Sequence, residues 1–106
     1  MVDDTAREAL AARIRRHLQG RDVREVSMFG GLSFMVDGTM AVAARRGGAL
    51  LVRLDPERAG ELGEAPGAGA ALMGERPMGA SWLEVSADAA TDADTLGFWI
   101  GAALDR

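Results

Sequence analysis

Apolar residues recur along this chain with two different periods. Between Asp4 and Gln19 the large ones are Leu10, Ile14 and Leu18, four residues apart, which places them on one side of a helix. Asp4 or Thr5 is suited to cap its start, and Gly20 stands where a helix-terminating glycine belongs. From Arg24 the period shortens to two. Arg24–Met28 reads as a short strand with Val26 and Met28 on one face. The stretch MFGGLSFMVDGTMAV, Met28 to Val42, continues the pattern. Gly30 and Gly31 lack a Cβ, so the backbone there can bend sharply or take positive φ. Leu32–Val36 and Thr39–Ala44 are then strands joined at Asp37-Gly38, a pair that favours a type I′ turn because both central residues of that turn need positive φ. Arg45–Gly48 reads as a second turn and Ala49–Leu54 as a further strand. The result is a meander of about four antiparallel strands.

Helical signals return at Asp55-Pro56, an N-cap followed by proline at the first helical position. The short helix it opens should run to Leu62. Residues 63–75 are rich in Gly, Ala and Pro without clear periodicity and read as a loop. A last strand is expected over Ser81–Val85. A final helix to Leu104 carries the stripe Leu96, Trp99, Ile100, Ala103 and Leu104, with Thr91 and Asp94 spaced nearly as a capping box. Trp82 and Trp99 are assigned to packing that strand against that helix. The order α-β-β-β-β-α-β-α predicts an α+β, two-layer fold: an antiparallel sheet of about five strands, covered by helices on one face and free to be wet on the other. At 106 residues the chain is expected to form one domain.

Composition narrows the chemistry. Hydrophobic residues make up 48% of the chain, which argues against disorder. No apolar run approaches the ~18 residues of a membrane helix, and the acidic start MVDDTAREAL is unlike a signal peptide. Cysteine is absent, which removes disulfides and thiolate metal sites. A cytoplasmic protein is expected. Charge divides unevenly: residues 1–53 carry +3 and residues 54–106 carry −7. The net acidity disfavours nucleic acid. The division suits either solvated helix faces or antiparallel self-association.

No catalytic set emerges. His17 is the one histidine and sits at a helix end, where a surface or capping role fits. Asp88, Asp92 and Asp94 fall where acids complement a helix N-terminus rather than where they would gather a cation. None of Ser27, Ser33, Ser81 and Ser86 lies in a nucleophile elbow, and lysine is absent. GAGAALMG, Gly67 to Gly74, lacks the spacing of a phosphate loop. Met28, Met35, Met40, Met73 and Met78 suit core filling or an adaptable binding surface. Arg76, ahead of the rigid Pro77, is expected to pair with an acid inside the fold, the other reading being an anionic ligand. No enzyme activity, cofactor or metal is expected.

Three segments in order, MFGGLSFMVDGTMAV, LLVRLDPE (Leu50–Glu57) and RPM (Arg76–Met78), resemble the N-terminal domain of the TfoX/Sxy family. The matching positions in the first are Met28, Phe29, Gly30, Gly31, Phe34, Gly38, Met40 and Ala41; Glu75 stands where many relatives place a glycine before Arg-Pro-Met. The resemblance implies a secretion-chaperone-like two-layer fold with an antiparallel sheet, and it supplies no catalytic residues. Longer members promote natural competence and carry a second, helical domain; a stand-alone single-domain member is expected here. The expected function is a regulatory or protein-interaction domain, its partner another protein or a second copy in a homodimer, with neither nucleic acid nor membrane involved. Candidate binding residues are Met28, Phe29, Gly30, Gly31, Arg76, Pro77 and Met78. The alternative is a small-ligand module with a pocket between the Gly30-Gly31 bend and the Arg76-Pro77-Met78 loop.

Overall fold

A computed structural model describes residues 4–28 and 31–105. Helix α1 spans Thr5–His17, and the Asp4 carboxylate caps it by accepting the Arg7 N–H at 3.1 Å. The same carboxylate accepts the Gly47 N–H at 3.2 and 3.3 Å, so one side chain ties the helix start to a distant turn. Leu10, Ile14 and Leu18 are all buried, as their spacing requires. Strands β1 (Val23–Met28), β2 (Gly31–Val36), β3 (Thr39–Arg45) and β4 (Leu50–Arg53) follow as the expected meander. Asp37 and Gly38 take φ of 53° and 85°, the two positive values an Asp-Gly hairpin turn needs. Gly47 and Gly48, at 74° and 89°, turn β3 into β4. Helix α2 (Pro56–Leu62) starts at Asp55-Pro56 as its sequence signals.

The stretch expected to be a loop holds more structure. β5 (Ala68–Ala70) pairs with β8 (Trp82–Val85), and β6 (Leu72–Met73) with β7 (Arg76–Pro77) forms a small hairpin. Among the described residues six strands make one fully antiparallel sheet in the order β1-β2-β3-β4-β8-β5, with the hairpin separate. Alanine and glycine give β5 no apolar alternation to read. It is placed by β8, and by the Ser86 N–H, which donates to Gly67 O at 2.8 Å. Two helices close the chain, α3 (Ala87–Ala90) and α4 (Ala93–Leu104). Their caps are Ser86 and Asp92 rather than Thr91: the Asp92 carboxylate accepts both the N–H and the hydroxyl of Thr95.

One face of the sheet packs on the helices. Phe34, Val42, Ala44, Leu50, Val52 and Val85 meet Leu10 and Ile14 of α1 and Leu96, Trp99 and Ile100 of α4. A β-bulge shifts the β2–β3 register between Phe34 and Met35. It lets consecutive Ala41 and Val42 both enter this core, and it turns Met40 and Ala43 to the other face. That face is not simply wet. Met40, Ala43, Leu51 and Ala71 form a second buried cluster, with Met35, Met78 and Trp82 packed around it. Trp82 therefore does not join the last strand to the last helix, as Trp99 does. Alternation along β8 turns Leu83 and Val85 inward and leaves Trp82 outside, where the Arg53 guanidinium lies 5.7 Å from its ring.

Gly31 is a glycine for a reason other than a left-handed backbone, since its φ is not positive. A Cβ there would collide with the Ala44 carbonyl oxygen and come within 3.0 Å of Arg45 Cα on the neighbouring strand. Close strand approach, not a bend, excludes a side chain. Gly31→Val should accordingly cost about 1–3 kcal/mol in chemical denaturation, the usual scale of overpacking. Gly69→Ala in β5, where an added Cβ meets nothing within 4 Å, should leave the transition almost unmoved. Equal curves for Gly31→Val and the parent would refute the steric account.

Candidate interaction surface

Among the described residues β1 pairs with β2 alone, so it forms one edge of the sheet, with a row of backbone groups that no described strand pairs on its far side. Alternation sends Val23, Glu25 and Ser27 toward the helix layer and Arg24, Val26 and Met28 to the outer face. Across the ladder these last three face Met35, Ser33 and Gly31. The outcome is a trough of about 400 Å³ lined by Asp22, Arg24, Val26, Met28, Met35 and Gly38. Beside it Ser33 is fully buried, and its hydroxyl donates to Met28 O at 3.5 Å, so the one polar side chain buried among the described residues is partnered. Two methionines give the trough walls that can reshape around an apolar side chain.

The inner side of the edge strand is held by charge. Arg15 donates to both Glu25 carboxylate oxygens at 2.8 Å, a bidentate pair that pins β1 to α1. Those hydrogen bonds hold the Glu25 carboxyl below its ordinary range and push the Arg15 guanidinium above its own. Further across the outer face, Arg45 lies 3.6 Å from Glu84. The β6–β7 hairpin exposes Leu72 and Met73 beside a cavity of about 440 Å³ that Arg45, Arg46, Leu72, Gly74 and Glu84 line.

The candidate residues from the sequence divide. Met28 and Gly31 are facing partners that close the β1–β2 hairpin, while Phe29 and Gly30 lie outside the described residues. Arg76 and Pro77 form the exposed strand β7, and Met78 packs on the second cluster. Arg76 makes no ion pair with any other described residue, contrary to the internal pairing expected of it. Its strand is exposed and pairs with β6. The cavity that Gly31 lines is shared with Arg7, Glu8, Ala11, Arg15, Ser27 and Leu32, none of them from the Arg76–Met78 segment. Asp22, Arg24, Val26 and Met35 are not among the candidate binding residues read from the sequence, where Met35 entered only with the methionines suited to core filling or an adaptable surface. The signal was present in β1, where Val26 and Met28 are apolar on the face opposite Val23.

The polar groups surveyed for chemistry have structural places. His17 is exposed, its ring against Gly97, and Ser86 caps α3. Asp92 is held ionised by the Thr95 N–H first and the Thr95 hydroxyl second, which lowers its pKa. Among the described residues no three His, Asp or Glu side chains converge to hold a metal ion, and no helix is long and apolar enough to cross a membrane.

A family model described as the TfoX N-terminal domain matches residues 17–106. No curated protein and no solved structure gives a match.

Glu25 sets a pH dependence. Its carboxyl is lowered in the fold, so its contribution is present above the ordinary glutamate value of about 4.3 and fades as pH falls through the folded value. The pair is half exposed, so Glu25→Gln should cost under ~1 kcal/mol at neutral pH. The melting temperatures of parent and variant should converge in acid. A gap that persists or widens there would refute the pairing.

Proposed function

Because the chain belongs to the TfoX N-terminal domain family, we propose that it is a non-enzymatic, regulatory interaction domain of the competence-regulator kind, and that it engages an extended segment of a protein partner along β1. The observation that carries this reading is the open six-residue edge of β1 lying directly beside the methionine-walled trough. An added strand would satisfy the unpaired N–H and C=O groups of β1, and every second side chain of the segment would face the trough. The edge strand holds no proline, and the bulge lies between β2 and β3 rather than on β1; its charges are Arg24 and Glu25, the latter engaged by Arg15. Asp22 and Arg24 at the trough offer one charge of each sign for setting register.

Affinity capture from the native host, with parent protein and Val26→Asp in parallel, tests the reading. Val26 is half buried on the outer face, and a carboxylate there would place a charge in the apolar wall. With melting confirming that the variant is folded, partners retained by the parent should be lost by Val26→Asp and kept by the distant Phe98→Ala. The same proteins recovered by all three would sink the β1 surface as the contact.

A further inference from the structure

The edge of β1 has a definite phase. The Asp37 N–H donates to Asp22 O at 3.0 Å, which makes these two residues a hydrogen-bonded pair at the end of the β1–β2 ladder. From there the register runs unbroken, Val23 against Val36 through to Met28 against Gly31. Hydrogen-bonded and non-hydrogen-bonded pairs alternate along an antiparallel ladder. Arg24, Val26 and Met28 therefore turn their backbone groups toward β2, and Val23, Glu25 and Ser27 turn theirs outward. Side chains divide the same way between the two faces. Arg24, Val26 and Met28 line the trough, while Val23 packs on the helix-covered core and Glu25 meets Arg15 of α1. One set of residues is thus placed to hold an added strand by its backbone, and the other set to read its side chains.

Antiparallel addition, the arrangement of every other pair in this sheet, makes that division sharp. Partner residues opposite Val23, Glu25 and Ser27 exchange both backbone hydrogen bonds with them. Those opposite Asp22, Arg24 and Val26 fall in non-hydrogen-bonded pairs, where Cα atoms approach to about 4.5 Å and side chains are closest. Asp22 and Arg24 enter no ion pair with another described residue, so both charges face the added strand unspent. Val26 and Met28, with Met35 across the ladder, supply the apolar half of the trough.

A second copy of β1 does not meet these demands. Two such strands related by a two-fold axis set Arg24 against the other Asp22 only where residues 22–24 alone overlap, which leaves Val26 and Met28 uncovered. Centring the axis on Val26 covers the trough and puts Arg24 against Met28. Centring it on Glu25 puts two carboxylates face to face, which is unfavourable. Resting on β1 as the contact edge, the geometry points to a segment of a different chain that runs antiparallel to β1 and carries at every second position, from its N-terminal end, two apolar residues, an acid and a base. In that order they meet Met28, Val26, Arg24 and Asp22. The acid and base match the trough charges, and the apolar pair lies against the methionines, which adapt to its shape.

Peptide display against the full chain tests the assignment. Random peptides long enough to span β1 are selected on the parent and on Arg24→Glu, and the bound peptides are mapped by amide chemical shifts. Arg24 is exposed, and a melting curve checks that the variant is folded. Peptides selected on the parent should shift the amides of Val23, Glu25 and Ser27 and share the order apolar, apolar, acid, base at alternate positions. The same peptides synthesised in reverse order should bind more weakly, because they match β1 only in a parallel ladder. Arg24→Glu should weaken the parent's peptides on the order of fivefold and should itself select a base where the parent selects an acid. Peptides that shift the β1 amides with no common charge order, or that Arg24→Glu leaves bound as tightly, would overturn the stated partner chemistry while β1 stands as the contact. Peptides that touch only other surfaces, or a selection that enriches none, would overturn both. Self-association of the parent that Val26→Asp abolishes would overturn the choice of a different chain.

Discussion

The central strands of this fold are apolar on both faces, and helices are available for only one. β3 and β4 send Val42, Ala44, Leu50 and Val52 into the helix-covered core, and Met40, Ala43 and Leu51 the other way. Leaving the second set in water would expose a contiguous apolar patch in the middle of the sheet. The chain resolves this after α2. It runs along β8 as β5, folds Ala71 and Met78 onto the outer cluster, and closes that excursion with the Met78 N–H donating to Ala71 O at 2.9 Å. The bulge in the β2–β3 ladder serves the same end, because it switches the alternation of β3 in mid-strand and lets one strand feed two cores.

This partial second cover decides which surfaces are left over. It reaches the centre of the outer face and stops short of β1, so the trough beside Val26 and Met28 stays open next to an unpaired edge. On the helix side, α1 and α4 meet the sheet together. Arg13 donates to Thr91 O at 2.8 Å, and His17 lies against Gly97, which sets the two helices side by side.

Arginines are spread over both layers, yet their partners differ in kind. Arg15 is locked to Glu25 by two hydrogen bonds, Arg45 faces Glu84, and Arg53 lies over Trp82. These contacts fix the edge strand and the outer face in place. Arg21 is exposed beside α4, and Arg58 lies 3.9 Å from Asp105. The basic first half and acidic second half seen in the sequence therefore do not form two facing slabs.

Local signals in the sequence were sufficient for most elements. The four-residue spacing of Leu10, Ile14 and Leu18, the Asp-Gly turn with its two positive φ angles, and proline at the first turn of α2 each act within a few residues, so they can be read without knowing the fold. The family motif was legible for the same reason, as runs of adjacent residues. What the sequence alone did not decide rests on partners far along the chain. β5 is a strand only because β8 lies beside it. Gly31 must be glycine because Ala44 presses on it from another strand, and Trp82 faces outward because Leu83 and Val85 claim the inner core. Periodicity states which residues share a face, but the face that becomes interior is chosen by which element arrives to cover it. Here that choice belongs to the tertiary structure, because burial is a property of two surfaces meeting and a single strand or helix carries only one of them.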